Sequence, residues 1–297
     1  MKLPTFLIIG AQKCGTTTLY RDLLTQPGVF LPYNKEPTSL VDDAVLTDAG
    51  LAEYAALYAG SKDGDARGDA STGYTRMPRF TGAAERARKV LGPNITLIYL
   101  VREPVARIVS HHHHWITNHP GAREVDRFVD EDPNAIAFTR YAWQLEPWIE
   151  QFGREKLHVY VFEEFVTRRA EVARELAPVL GFEPRPERID AGTRFNAADQ
   201  RSVDAGWAMA LRETWAYRRL RPMLPNSLRD ALRLRLAPKA PPPPPPPSAA
   251  CVDRILDALE DDHRALAALL GRPHPIWDPA HTRAKYERLR TEAASRP

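Results

Sequence analysis

The chain has 297 residues, a length that one α/β domain with elaborations fills without a second core. Its 41 Lys and Arg against 38 Asp and Glu leave a net charge of +3, too little for a nucleic-acid coat, so any anion binding has to be local. Two cysteines, Cys14 and Cys251, leave no disulfide framework and fit a reduced cytoplasm. The first residues, MKLPTFLIIGAQKCGTT, carry two lysines, Lys2 and Lys13, and a short apolar run, far from the ~20 apolar residues of a spanning helix. The expectation is a cytoplasmic protein with no integral membrane segment and no nucleic-acid partner.

Phe6 to Ile9 is a β-branched apolar run closed by Gly10, which predicts a buried strand feeding a loop, and Thr16 to Leu24 then reads as a helix. A second unit opens with ITLIYLV, a fully buried strand from Thr96 that ends at Arg102. Pro104 suits the first turn of a following helix that runs to about Asn118. A third strand spans Leu157 to Phe162, followed by Glu163, Glu164 and a helical pattern from Glu171 to Leu180 that stops at Gly181. Strand, loop and helix recurring in this way predict an α/β protein, a parallel sheet flanked by helices.

Pro241 to Pro247 is a homopolymeric run that cannot donate backbone hydrogen bonds. It predicts a flexible proline-rich insertion at about 238–250 within a single domain spanning 1–297. Beyond it, Val252, Ile255, Leu256, Leu259, Leu266, Leu269 and Leu270 recur at helical spacing, so a C-terminal amphipathic helix is expected to pack back on the core.

Gly10 to Thr17, GAQKCGTT, has the strand, glycine loop and helix order that aims backbone N–H groups and a positive helix end at a phosphate. A nucleoside-triphosphatase loop places its lysine directly after the second glycine. Here Thr16 holds that position and the charge, Lys13, lies inside the loop. Gly10, Gln12, Lys13, Cys14, Gly15, Thr16, Thr17 and Thr18 are the candidate anion-binding residues. A second anion site is expected at Arg102, at a strand end, with Ser110 two helical turns further on, because a guanidinium fork plus a hydroxyl suits a phosphate monoester. A salt bridge from Arg102 to Glu103 is the structural alternative. Within the run His111 to His114, His111 and His114 share a helix face. Four consecutive histidines cannot converge on one ion and no Cys or acid cluster completes a site, so no metal is expected; histidines packed against Trp115 are the plainer reading.

These blocks, together with NKEP, GDASTGY, YLVREPVARIVSHHHHW, VYVFEEF and LLGRPHPIWD, resemble the sulfotransferases that use 3'-phosphoadenosine-5'-phosphosulfate (PAPS). The similarity is strongest to the branch with the heparan-sulfate enzymes and many bacterial relatives, and it covers nearly the whole chain apart from the proline run. It implies a P-loop NTPase-like sulfotransferase fold and transfer of a sulfuryl group from PAPS, as co-substrate and without metal. The acceptor would be a hydroxyl or amine of a small-molecule, carbohydrate or lipid partner. It also implies that Lys13, Gly15, Thr16, Thr17 and Thr18 form the 5'-phosphosulfate loop and that Arg102 and Ser110 take the 3'-phosphate. Glu36 falls where carbohydrate sulfotransferases place their general base, and burial there would raise its pKa; His114 is the alternative base. Two departures stand out: Thr38, Ser39 and Leu40 replace a His and an aromatic pair, and Ala70 stands where several carbohydrate enzymes carry a lysine. The rival readings are a small-molecule kinase, which lacks its lysine after Gly15 and its acidic magnesium ligand, and a non-catalytic nucleotide-binding protein.

Overall fold

The computed structural model describes residues 1–33, 35–118, 124–190 and 244–295. Five strands, β1 (Phe6–Gly10), β2 (Val29–Phe30), β3 (Ala66–Ala70), β4 (Thr96–Val101) and β5 (Leu157–Val161), form one parallel sheet in the order β2-β3-β1-β4-β5. β1 is buried at every position and β4 at all but its first, because helices cover both faces of the sheet. The chain leaves β1 toward one edge, returns through β3 and continues through β4 to the other edge. The resulting switch point lies at the carboxyl ends of β1 and β4, where open α/β sheets bind their ligands.

The described helices are α1 (Thr16–Leu24), α2 (Asp48–Ala56), α3 (Ala83–Leu91), α4 (Pro104–Asn118), α5 (Val125–Glu131), α6 (Asn134–Ala137), α7 (Tyr141–Phe152), α8 (Phe162–Phe165), α9 (Arg169–Leu180), α10 (Ala249–Leu270) and α11 (Pro279–Ala294). The main core gathers on the sheet. A second apolar cluster joins Val105 and Ile108 of α4 to Phe128 and Val129 of α5, Val252, Ile255 and Leu259 of α10 and Tyr286 of α11. The apolar stripe of α10 therefore packs back on the fold as its spacing predicts, and Gly271 ends that helix in the left-handed conformation, φ 62°. Among the described residues no helix is long and apolar enough to cross a membrane.

The expected insertion at about 238–250 lies partly outside the described residues, and its described end is anchored. Ser248 caps α10 through Oγ, which accepts from Cys251 N at 3.1 Å, while its own N–H donates to Asp126 Oδ1 at 2.9 Å. Arg290 Nη1 donates to the Pro246 carbonyl at 3.2 Å. The Pro246 carbonyl can be bonded in this way because a proline ring offers no N–H donor while its carbonyl remains a good acceptor.

α1 and α9 are joined by a buried ion pair. Arg169 Nε donates to Asp22 Oδ2 at 2.9 Å, a second bond runs from Nη2 to Oδ1, and each side chain is only 4% exposed. Burial pushes the Asp22 carboxyl up, and Arg169 pulls it back. Removing one partner leaves the other charge buried and uncompensated, so Asp22→Asn is expected to cost about 3–5 kcal/mol of stability. Urea unfolding measures this; a midpoint equal to that of the unaltered protein contradicts it.

Candidate active site

The phosphate loop leaves β1 at Gly10, and the Ala11 N–H bonds to the Leu100 carbonyl of β4 at 2.8 Å, fixing the loop over the switch point. Gly15 occupies the N-cap of α1 with φ 93°, and a Cβ there would stand 2.6 Å from the Phe162 ring. Only glycine tolerates both the left-handed backbone and that ring. A glycine cap offers no side-chain acceptor to the start of α1, where the Thr18 N–H bonds back to the Gly15 carbonyl at 2.9 Å and the helix end points its amides toward the loop.

The loop's side chains divide into two groups. Gln12 accepts through its carbonyl from Arg107 Nε at 3.2 Å and through Oε1 from Arg107 Nη2 at 3.3 Å. Cys14 is fully buried with Sγ 3.6 Å from the Tyr141 hydroxyl, and burial pushes its thiol up to about 11 against the hydrogen bond from Tyr141 and the charges of Arg107 and Arg102. The Gln12 side-chain oxygen and the Cys14 thiol thus help hold the loop together. Thr16 and Thr18 are buried and Thr17 half-buried. Lys13 sits at φ 71°, and its carbonyl accepts from Arg102 Nη1 at 3.1 Å.

Arg102, the first residue after β4, is therefore brought to the loop. Its guanidinium lies 4.7 Å from the centre of the Phe162 ring, and its Nε is buried without a hydrogen bond. The alternative salt bridge to Glu103 does not form. Glu103 instead caps α4, accepting from Val105 N and Ala106 N, both at 2.8 Å, with Lys285 Nζ 3.8 Å away. Ser110 is half-buried two turns along α4.

Arg107 was not foreseen. It is 0% exposed, and besides Gln12 it donates to the Ala135 carbonyl at 3.1 Å and to Thr139 Oγ1 at 3.2 Å. A charged residue between Val105 and Ile108, both core positions of α4, was the available signal.

On the far side of β1, Glu36 lies in a loop held against the end of β3. Glu36 and Thr38 both adopt left-handed backbone, φ 65° and 57°, and the Glu36 N–H donates to the Ala70 carbonyl at 3.0 Å. Lys35 Nζ donates to Oε1 at 2.9 Å and Thr72 Oγ1 to Oε2 at 3.0 Å, while Arg76 Nη2 lies 3.5 Å from Oε2 and donates to Thr72 Oγ1 at 2.6 Å. The expected rise in the Glu36 pKa is reversed. Burial does push the carboxyl up, but the charge and hydrogen bond of Lys35, the Arg76 charge and the Thr72 hydroxyl outweigh it and hold Glu36 below its ordinary value.

The histidine run is split by burial. His111, His112 and His113 are buried and His114 is exposed, so the two that share a helix face do not share an environment. Phe128 gathers several of these rings: its centre lies 5.4 Å from that of His111, 5.2 Å from that of His112 and 5.9 Å from that of Trp115. Burial, followed by the charges of Arg107, Lys13, Arg76 and His114, pushes the His111 pKa down to about 2 and keeps the ring neutral. Lys13, Arg76 and Arg107 therefore all act on one imidazole, which ties the phosphate loop electrostatically to the Glu36 side. Among the described residues no group of three or more His, Cys, Asp or Glu side chains is placed to hold a metal ion.

Comparison with known proteins agrees with this geometry. The chain matches the sulfotransferase domain family over residues 3–203. It is 28% identical over 161 residues to heparan sulfate glucosamine 3-O-sulfotransferase 6 of Mus musculus, an alignment that takes in 51% of this chain and 44% of that protein's length. In three dimensions it resembles a sulfotransferase from Alicyclobacillus acidocaldarius, with a TM-score of 0.64 and 20% identity over 92% of this chain and 98% of the other. A lysine inside the glycine loop and an arginine bonded back to that loop are not a kinase's equipment, and the family match runs through both: the chain belongs to the sulfotransferase family.

Proposed function

We propose that this sulfotransferase takes its sulfuryl group from PAPS and delivers it to a hydroxyl or amine of a carbohydrate, glycolipid or secondary metabolite. The observation that carries this reading is the bond from Arg102 Nη1 to the Lys13 carbonyl, which sets two anion-binding elements side by side while Arg102 Nε stays buried without an acceptor. A buried, unsatisfied guanidinium donor is costly unless a ligand meets it. PAPS, when bound, supplies an activated sulfuryl group at one end and a phosphate monoester at the other. Lys13 and the donors of Gly15, Thr16, Thr17 and Thr18 would hold the 5' end, where they stabilise charge gathering on the leaving oxygen. Arg102 and Ser110 would hold the 3'-phosphate.

Glu36 would take the acceptor proton. Its carboxylate stands beside an anionic donor, and Lys35 and Arg76 offset that repulsion. His114, exposed on α4, is the second candidate base, favoured by the depressed Glu36 pKa, which makes that carboxylate a weaker base. The name of the mouse relative supports a sugar among the acceptor classes. The composition supports a cytoplasmic setting.

Lys13→Ala is expected to slow single-turnover transfer by about two decades or more with the circular dichroism unchanged. Near-normal turnover would remove Lys13 from the chemistry. Arg102→Ala should weaken adenosine 3',5'-bisphosphate by about 1.5–3 kcal/mol in calorimetric titration and adenosine 5'-phosphate far less. Equal losses for the two ligands contradict the 3'-phosphate assignment.

The base is decided by comparing Glu36→Gln with His114→Asn, since losing a general base costs about two to four decades of rate with little change in donor affinity. The sign of the pH dependence follows from the charge state. A base must be deprotonated, and the Glu36 pKa lies below its ordinary 4.5, so the acid limb of kcat/KM belongs below pH 4.5 with a plateau above it. An acid limb above pH 4.5 that vanishes in His114→Asn assigns the proton transfer to the histidine.

A further inference from the structure

Asp69, at the end of β3, is 0% exposed and, among the described residues, has no cation in ion-pair contact. A buried carboxylate without a counter-charge persists only if hydrogen bonds replace its water. Here three hydroxyls do so: Ser71 Oγ donates to Oδ1 at 2.7 Å, and Tyr74 and Tyr54 donate to Oδ2 at 2.5 and 2.8 Å. Burial still pushes the carboxyl up, with the hydroxyls of Tyr74, Ser71 and Tyr54 pulling it back.

Two of these hydroxyls have a second partner, and both second partners are backbone amides of the segment that follows Glu36. Thr38 N donates to Ser71 Oγ at 3.0 Å, and Leu40 N donates to Tyr74 Oη at 3.4 Å. A hydroxyl has one proton to give and lone pairs to receive with. An acceptor-only carboxylate claims that proton and turns the lone pairs toward the amides. Left-handed backbone at Glu36 and at the β-branched Thr38 is unfavourable by itself and survives where surrounding contacts over-determine it. The third hydroxyl, on Tyr54 of α2, reaches Asp69 but, among the described residues, makes no bond to that segment.

We propose, resting on Glu36 as the base, that Asp69 is a positioning residue that sets the Glu36 carboxylate through two hydroxyl relays, Ser71 to Thr38 and Tyr74 to Leu40. The end of β3 and the turn that follows it thus hold the Glu36 segment at three points, the third being the Ala70 carbonyl on the Glu36 N–H. The sulfuryl-transfer chemistry stays with the residues that touch substrate; Asp69 acts on where the carboxylate stands.

The test uses the full chain and three variants, Ser71→Ala, Asp69→Asn and Tyr54→Phe, read by amide exchange at Thr38 and Leu40, single-turnover rate and affinity for adenosine 3',5'-bisphosphate. Ser71→Ala removes one relay and is expected to speed Thr38 exchange and slow transfer, each by about tenfold or more, with nucleotide affinity changed by less than about twofold. Asp69→Asn should do the same at both amides. Tyr54→Phe removes a bond to Asp69 without touching a relay, so it should lower the melting temperature while Thr38 exchange and the rate stay near those of the unaltered protein. If Asp69→Asn does not fold, Ser71→Ala and Tyr54→Phe still separate the two roles. Unchanged Thr38 exchange in Ser71→Ala overturns the relay, and equal rate losses in Ser71→Ala and Tyr54→Phe reduce it to general stability. Faster exchange at an undiminished rate overturns the positioning role; where Glu36→Gln is also undiminished, the assignment of Glu36 as base falls with it, and where Glu36→Gln is slow, that assignment stands alone.

Discussion

The site depends on a positive charge that no carboxylate among the described residues pairs with. Arg107 is fully buried, and its acceptors are the Gln12 carbonyl and side-chain oxygen, the Ala135 carbonyl and the Thr139 hydroxyl, with Asp132 acting on it only from a distance. Burial pulls its pKa down, yet a guanidinium stays protonated in proteins, so the charge remains in the interior. Its hydrogen bonds are satisfied while its charge is not. The field that results reaches the phosphate loop, which Arg107 also fixes in place, and an anion bound there would complete the balance. Arg102 and Lys13 add to the same field, and the uncapped start of α1 adds its aligned amides. His111, packed between these charges and Phe128, is kept neutral by the same surroundings.

A site that attracts an anion would pose a problem for the proposed carboxylate base, and the Glu36 surroundings answer it. Lys35 takes one carboxylate oxygen, and Thr72 with Arg76 takes the other, and these contacts favour the ionised carboxylate. The consequence is a lower proton affinity, the opposite of what burial alone would have produced. Ala70 contributes no charge but supplies the carbonyl that receives the Glu36 N–H. Cations near the base thus come from Lys35 and Arg76, on either side of that strand end in the chain.

Much of the donor side was legible because its chemistry is local in sequence. Gly10 to Thr18 is a continuous strand, loop and helix, and Arg102 follows its strand directly, so spacing alone brought out those residues. β3 was not legible: ARGDA mixes two charges with a glycine and reads as a turn, although its central position between β2 and β1 buries it. The anchored end of the proline run was equally hidden, since nothing in a row of prolines announces that Asp126 and Arg290 will hold its last residues.

The amino-acid sequence by itself determined the parallel α/β class, the glycine loop with its internal lysine, and the arginine at the end of the β4 strand, because each rests on residues a few positions apart. Only the tertiary structure decided what Arg107, Asp69 and Arg76 do. Arg107 meets Gln12 across 95 positions, and the Glu36 loop meets Thr72 and Ser71 across 36 and 33. Such contacts exist only once the sheet has brought the carboxyl ends of β3, β1 and β4 together. Their effect on charge follows from burial, a property of the folded molecule rather than of any segment of the chain.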